Sequence, residues 1–154
     1  MMHDEVLKDE LAGTTAVCVF LRGNMLYCGN VGDSRVVGSV GGSVVELSND
    51  HKPSLPSEQR RITAAGGWVE LNRVNGNLAL SRALGDFVFK KNTHKGPEEQ
   101  IVTAWPDVVI RELNKDWEFI LLSCDGIWDV MTNQVRSFPR IGLSSEAPRH
   151  SIPH

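Results

Sequence analysis

WEFILLSCDGIWDVM, residues 117–131, changes character in its middle. Trp117–Cys124 is nearly all apolar and predicts a central β-strand buried on both faces. Asp125-Gly126 breaks that strand at once, and Ile127–Met131 begins a helix. A carboxylate directly after an apolar strand sits where core meets solvent. Gly126 lets the backbone turn sharply and lets a ligand come close. Hard cations such as Mg²⁺ and Mn²⁺ favour carboxylate oxygens and water. Asp129, four residues on, stands on the same face if the helix starts promptly. Taken alone, the plainer reading makes Asp125 a helix N-cap and Asp129 a first-turn acid.

Upstream of this stretch the chain predicts an antiparallel meander. Thr14–Leu21 (TTAVCVFL) is rich in β-branched and aromatic residues and predicts a strand. Arg22-Gly23-Asn24 turns it into a second strand, Met25–Val31, as a hairpin. Gly32-Asp33-Ser34 is a tight polar link to a third strand, Arg35–Val40. Gly41-Gly42 leads to a fourth, Ser43–Leu47. Asp33 repeats the pattern of Asp125, a strand-end aspartate beside a glycine. Its plainer reading is a turn aspartate bonded to its own backbone. Pro56–Ala65 predicts a short helix, with Pro56 in the first turn, Glu58 near the positive end of the dipole and Gly66-Gly67 as the stop.

Beyond that helix, Trp68–Leu71 is extended and Arg73–Gly76 a turn. Asn77–Leu84 mixes loop and helix, and Gly85–Gln100 is a long ordered or lid-like loop. A strand follows over Asp107–Leu113. Arg35, Arg73 and Arg82 each lie near glycine-rich turns and suit bidentate phosphate recognition; each taken singly reads better as a surface ion pair. His51 titrates near neutral pH and could carry a proton. Its plainer reading is a loop histidine bonded to backbone.

The bulk numbers are those of an ordinary globular chain. The 154 residues suit one domain, 41% are hydrophobic and the net charge is -3. That balance gives no strong pull toward nucleic acid or an anionic membrane. No apolar run reaches the roughly 20 residues that a membrane span needs. The first eleven residues are charged where a secretory signal is apolar. Cys18, Cys28 and Cys124 lack zinc-type spacing and read as small buried thiols of a reducing compartment, cytoplasmic or nuclear.

The order of short blocks is more specific than any one of them. Gly13-Thr14-Thr15-Ala16, VGDSR (31–35), DHKP (50–53), AGG (65–67), RVNG (73–76), LSRALGD (80–86) and CDGIWDVM (124–131) occur in that sequence. Together they resemble the second half of the PPM-type (type 2C) metal-dependent serine/threonine protein phosphatase domain of eukaryotes. The resemblance implies an α+β fold, two packed antiparallel β-sheets flanked by helices, here incomplete. It implies a water activated by two Mg²⁺ or Mn²⁺ ions, with a third, weaker ion, attacking phosphoserine or phosphothreonine of phosphoprotein substrates directly. Asp125 matches the aspartate that binds the metal pair, and Asp33 and Asp129 match acids of the third position. Lys52 to about Leu78 matches a flap beside the active site, with His51 at its start and Arg73 within it.

The same resemblance assigns residues 1–12 to an N-terminal segment and 13–135 to the partial domain. Residues 136–154, rich in proline and serine, predict a disordered tail. The family's Asp-Gly-His-Gly-Gly block does not occur in these 154 residues, where Asp125-Gly126 is the only Asp-Gly. Nor does its late Asp-Asn pair, because no aspartate follows Gln134. One firm carboxylate and two outer ones do not hold two hard cations. The expectation is therefore a phosphatase by family whose 154 residues alone are inactive or weak. The alternative is a non-catalytic fragment that binds phosphoproteins or a regulator as a decoy.

Overall fold

A computed structural model describes residues 11–133. The expectations for residues 1–10 and 134–154, the charged N-terminal segment and the disordered tail, lie outside the described residues. The elements in chain order are β1 (Gly13–Thr14), β2 (Ala16–Arg22), β3 (Met25–Val31), β4 (Arg35–Val40), β5 (Ser43–Glu46), α1 (Pro56–Ala64), β6 (Val69–Glu70), β7 (Arg73–Val74), β8 (Leu84–Gly85), β9 (Asp107–Glu112), β10 (Trp117–Ser123) and α2 (Asp125–Trp128). Two short 3-10 turns, Phe87–Phe89 and Pro97–Glu99, lie between β8 and β9.

Two three-stranded antiparallel sheets form the frame, one ordered β2-β3-β9 and the other β10-β4-β5. Strand alternation explains how they face each other. Leu26 and Cys28 of β3 point inward with Val17 and Val19 of β2 and Val109 of β9. They meet Val36, Val45, Leu47, Trp117 and Ile120 from the second sheet. A second cluster, Ile62, Val74, Ala83 and Val102, seats α1 and the β6-β7 hairpin. A third joins Val37, Val44 and Leu121 to Trp128 of α2. No helix among the described residues is long and apolar enough to cross a membrane.

Four local expectations are corrected. The predicted strand Thr14–Leu21 is interrupted at Thr15, whose hydroxyl bonds Ser34 Oγ at 2.9 Å; β1 turns aside to pair with β8. Trp117–Cys124 is not a central strand buried on both faces. Among the described residues β10 pairs only with β4, and Phe119 and Leu122 are 43% and 42% exposed. An apolar run reports the burial a strand can accept, and the cover for this one is not among the described residues. The reversal placed at Arg73–Gly76 falls earlier, because Arg73-Val74 pairs with Val69-Glu70 across Leu71-Asn72, at φ 47° and 59°. Asn75-Gly76 then makes a second turn. Asn77–Leu84 holds no helix, since Ser81, Arg82 and Ala83 are drawn into backbone bonds with His51 and Thr103.

Candidate functional site

The links between strands carry the polar side chains. Gly32, at φ 104°, makes the β3–β4 turn possible: a Cβ there would lie 2.4 Å from Thr15 Cγ2. Asp33 follows, 6% exposed, with its Oδ2 2.6 Å from Lys52 Nζ. The preceding residue of each pair is also joined. The His51 backbone N–H donates to Gly32 O at 3.0 Å, and the Gly32 N–H donates to His51 Nδ1 at 3.0 Å. His51 and Lys52 thus clamp Gly32 and Asp33 residue against residue. Asn30 Nδ2 adds bonds to Gly32 O and Asn49 O.

His51 is 2% exposed, and its remaining ring nitrogen, Nε2, lies 3.2 Å from Asp107 Oδ2. An Nδ1 that accepts a hydrogen bond carries no proton, so neutral His51 is the Nε2–H tautomer. Burial holds its pKa below the ordinary value and the Arg82 charge adds to this, against the opposing pull of Asp107 and Glu58. This geometry favours the backbone-bonded reading of His51 over a proton carrier.

Behind His51 runs an ionic network. Glu58 of α1, 2% exposed, receives Arg61 Nη1 at 2.6 Å, Arg82 Nη2 at 2.7 Å and Ser81 Oγ at 2.6 Å. Arg82 continues to Asp107 Oδ1 at 2.8 Å, closing the chain back to His51. Burial pushes the Glu58 carboxyl up, but the bonds from Arg82, Ser81 and Arg61 outweigh it and bring the pKa to about 2. Burial likewise raises the Asp107 carboxyl, and Arg82 and His51 more than reverse it. Of the three arginines considered for phosphate, Arg82 is spent in this network. Arg35 forks onto Asp50 at 2.8 Å through both Nε and Nη2, over the Trp128 ring at 5.3 Å. Arg73 bonds Asn77 O and is exposed.

Asp125 is placed differently. The helix N-cap is Cys124, and no side chain caps α2. Asp125 is therefore the exposed first residue of α2, and among the described residues its carboxylate makes no hydrogen bond or ion pair. Asp129, also exposed, closes the helix, its N–H donating to Asp125 O at 2.8 Å.

A pair of hard cations needs several converging oxygens. Among the described residues no three His, Cys, Asp or Glu side chains come together in that way. Asp33, one of the expected ligands, is engaged by Lys52. These residues do not by themselves fit a two-ion centre.

Glu58, Ser81, Arg61 and Asp107 were not singled out by sequence reasoning as a connected group. They are up to 49 positions apart and share no period. The available hint was Glu58 and Arg61 at i, i+3 in a helix with few apolar residues.

Comparison with known proteins covers most of the chain. A family model described as "Protein phosphatase 2C" matches residues 1–136. The chain is 61% identical, over 153 residues, to a probable protein phosphatase 2C of Caenorhabditis elegans, covering 99% of this chain and 43% of that protein. It is 53% identical over 137 residues to protein phosphatase 2C homolog 2 of Saccharomyces cerevisiae, covering 87% of this chain and 30% of that one. Among solved structures, a phosphatase from Toxoplasma gondii superposes with a TM-score of 0.65 at 43% identity, over 72% of this chain and 34% of that one. A serine-threonine phosphatase 2C from the same organism gives 0.71 at 28% identity, over 84% and 46%. The chain thus spans less than half the length of each of these proteins.

Proposed function

Because this chain belongs to the protein phosphatase 2C family, we propose that it serves metal-dependent hydrolysis of phosphoserine and phosphothreonine in phosphoprotein substrates. In this reading it contributes Asp125 to the ions, Asp33 and Asp129 to a weaker cation position, and the flap from Lys52 to about Leu78 to the substrate side. The observation that carries it is Asp125. Among the described residues its carboxylate is exposed at the end of an apolar strand and makes no hydrogen bond or ion pair. The ion is Mg²⁺ or Mn²⁺, which suit an all-oxygen ligand set.

The 154 residues alone are inactive or nearly so, since the described residues do not assemble the ligands for two ions. That same observation supports a second reading, a non-catalytic fragment that binds phosphoproteins or a regulator.

One exchange separates these readings. Residues 12–133 replace the corresponding segment of the C. elegans relative, and phosphopeptide hydrolysis is followed in Mn²⁺ buffer. An active chimera supports the enzyme reading. A folded chimera without turnover sinks it and leaves the binding reading. Turnover by the isolated 154 residues at the chimera's rate would refute the claim of inactivity.

A further inference from the structure

We propose that the outer face of β2-β3-β9 is a self-complementary surface on which a second copy of this chain packs, sheet on sheet, about a two-fold axis parallel to the strands. This surface is independent of the phosphatase reading.

The register defines the face. Leu26 and Cys28 point into the core, so Met25, Tyr27 and Gly29 lie on the opposite side of β3. Strand pairing sets them in three rows across the sheet. Arg22, Met25 and Glu112 make a charged row, and Phe20, Tyr27 and Ile110 a bulky one. Cys18, Gly29 and Val108 make the third, low at its centre because Gly29 has no side chain. Phe20, Val108 and Ile110 are 62%, 57% and 48% exposed. Large apolar side chains gathered on one face mark a surface that is covered by something.

A second copy fits because the rows complement themselves. A two-fold axis parallel to β3 keeps strand direction and exchanges left for right. β2 of one copy then lies over β9 of the other, row upon row. Phe20 meets Ile110, Cys18 meets Val108, and Tyr27 lies beside its own counterpart, next to the hollow that Gly29 leaves. In the end row, Arg22 of each copy meets Glu112 of the other, which makes two identical ion pairs. Both groups are open to this. The Arg22 side chain makes no hydrogen bond or ion pair among the described residues, and Glu112 is bonded there only through Oε1, by Asn24 Nδ2 at 2.7 Å. An axis across the strands would instead set Arg22 over Ala16 and leave both charges unpaired. Three strands about 4.8 Å apart and seven residues of about 3.4 Å give roughly 350 Å² of face per copy. That is small for a stable complex, so the dimer is weak and concentration-dependent. The ion pairs fix its geometry more than its affinity.

Sedimentation velocity over a range of concentrations reads the assembly of the wild-type chain, Arg22→Glu, Glu112→Arg and an equimolar mixture of the two variants. Each single variant sets like charges together twice, and its dimer dissociation constant is expected to rise about tenfold. In the mixture one copy brings two carboxylates and the other two guanidinium groups. Both pairs form, and the wild-type dissociation constant returns. A mixture that associates no better than its parts overturns the proposal, as does a wild type that stays monomeric or grows past the dimer.

The wild type still decides if a variant does not fold. Alkylation of Cys18, exposed within the face, is expected to slow as concentration rises, while Cys124, exposed elsewhere, keeps its rate. A Cys18 rate that ignores concentration overturns the proposal. If that rate is low even in dilute solution, another segment of this chain covers the face. Preferential binding of the C. elegans relative's remaining residues, added as a separate polypeptide, also overturns the proposal, because the face is then an internal contact of a longer chain.

Discussion

Asp125 and His51 show how differently two polar residues at strand ends can be used. The Asp125 carboxylate makes no hydrogen bond or ion pair among the described residues, so Asp125→Asn is expected to shift unfolding free energy by less than about 0.5 kcal/mol. Chemical denaturation checks this. In the active chimera the same change is expected to lower turnover by at least about 100-fold, as loss of a metal-held carboxylate does. A variant that unfolds the chain would make Asp125 structural instead. His51 is the opposite case, buried with Nδ1 accepting from Gly32 N–H and Nε2 3.2 Å from Asp107 Oδ2. Its folded pKa lies below the 6.5 of a free histidine, first through burial and then through Arg82, so the unfolded chain takes up the proton first. Its contribution to stability is full above pH 6.5 and declines as pH falls through the folded pKa. Glu58 acts lower down. Its contribution is full above 4.5 and is lost as pH falls toward about 2. Urea midpoints measured against pH should show both declines. His51→Asn should remove only the first.

At the scale of elements, α1 has few apolar residues to bury. Ile62 is its buried hydrophobe, and its other buried residue is Glu58. The helix is therefore fastened to the sheets by charge as much as by packing, through Arg82, which joins Glu58 of α1 to Asp107 at the start of β9. Glu58→Ala leaves the half-buried Arg61 guanidinium without a carboxylate and Arg82 with Asp107 alone. The expected loss is about 3–5 kcal/mol. Hydrogen exchange should show α1 and the β6-β7 hairpin losing protection before β3 and β4. Equal loss throughout would mean that the network does not act locally. A double-mutant cycle with Arg82 should give a coupling well above that of an exposed pair.

At the scale of the molecule, much apolar surface faces outward. On the outer face of β2-β3-β9 the register sets Phe20 beside Tyr27 and Tyr27 beside Ile110, with Val108 one pair away. Phe20, Val108 and Ile110 are exposed, as are Phe119 and Leu122 on β10. Contiguous apolar sheet faces and unpaired strand edges favour association. The 154-residue chain is expected to form concentration-dependent oligomers in light scattering. Phe20→Lys with Ile110→Thr should reduce them without lowering the denaturation midpoint. A monodisperse monomer at high concentration would contradict this.

By itself the order of residues determined the strand succession Met25–Val31, Arg35–Val40 and Ser43 onward, the helix from Pro56, and the family, because alternation, capping and short motifs are local. It also marked Asp33, Asp125 and Asp129 as carboxylates next to turns. Only the folded chain decided that Asp33 is held by Lys52 while Asp125 is held by nothing described, and that His51, Arg82, Asp107 and Glu58 form one connected polar network. It also decided that an apolar strand lies, among the described residues, at a sheet edge. Such facts depend on which distant segments meet. Ion pairing and burial are properties of neighbours in space, and local sequence does not encode those neighbours.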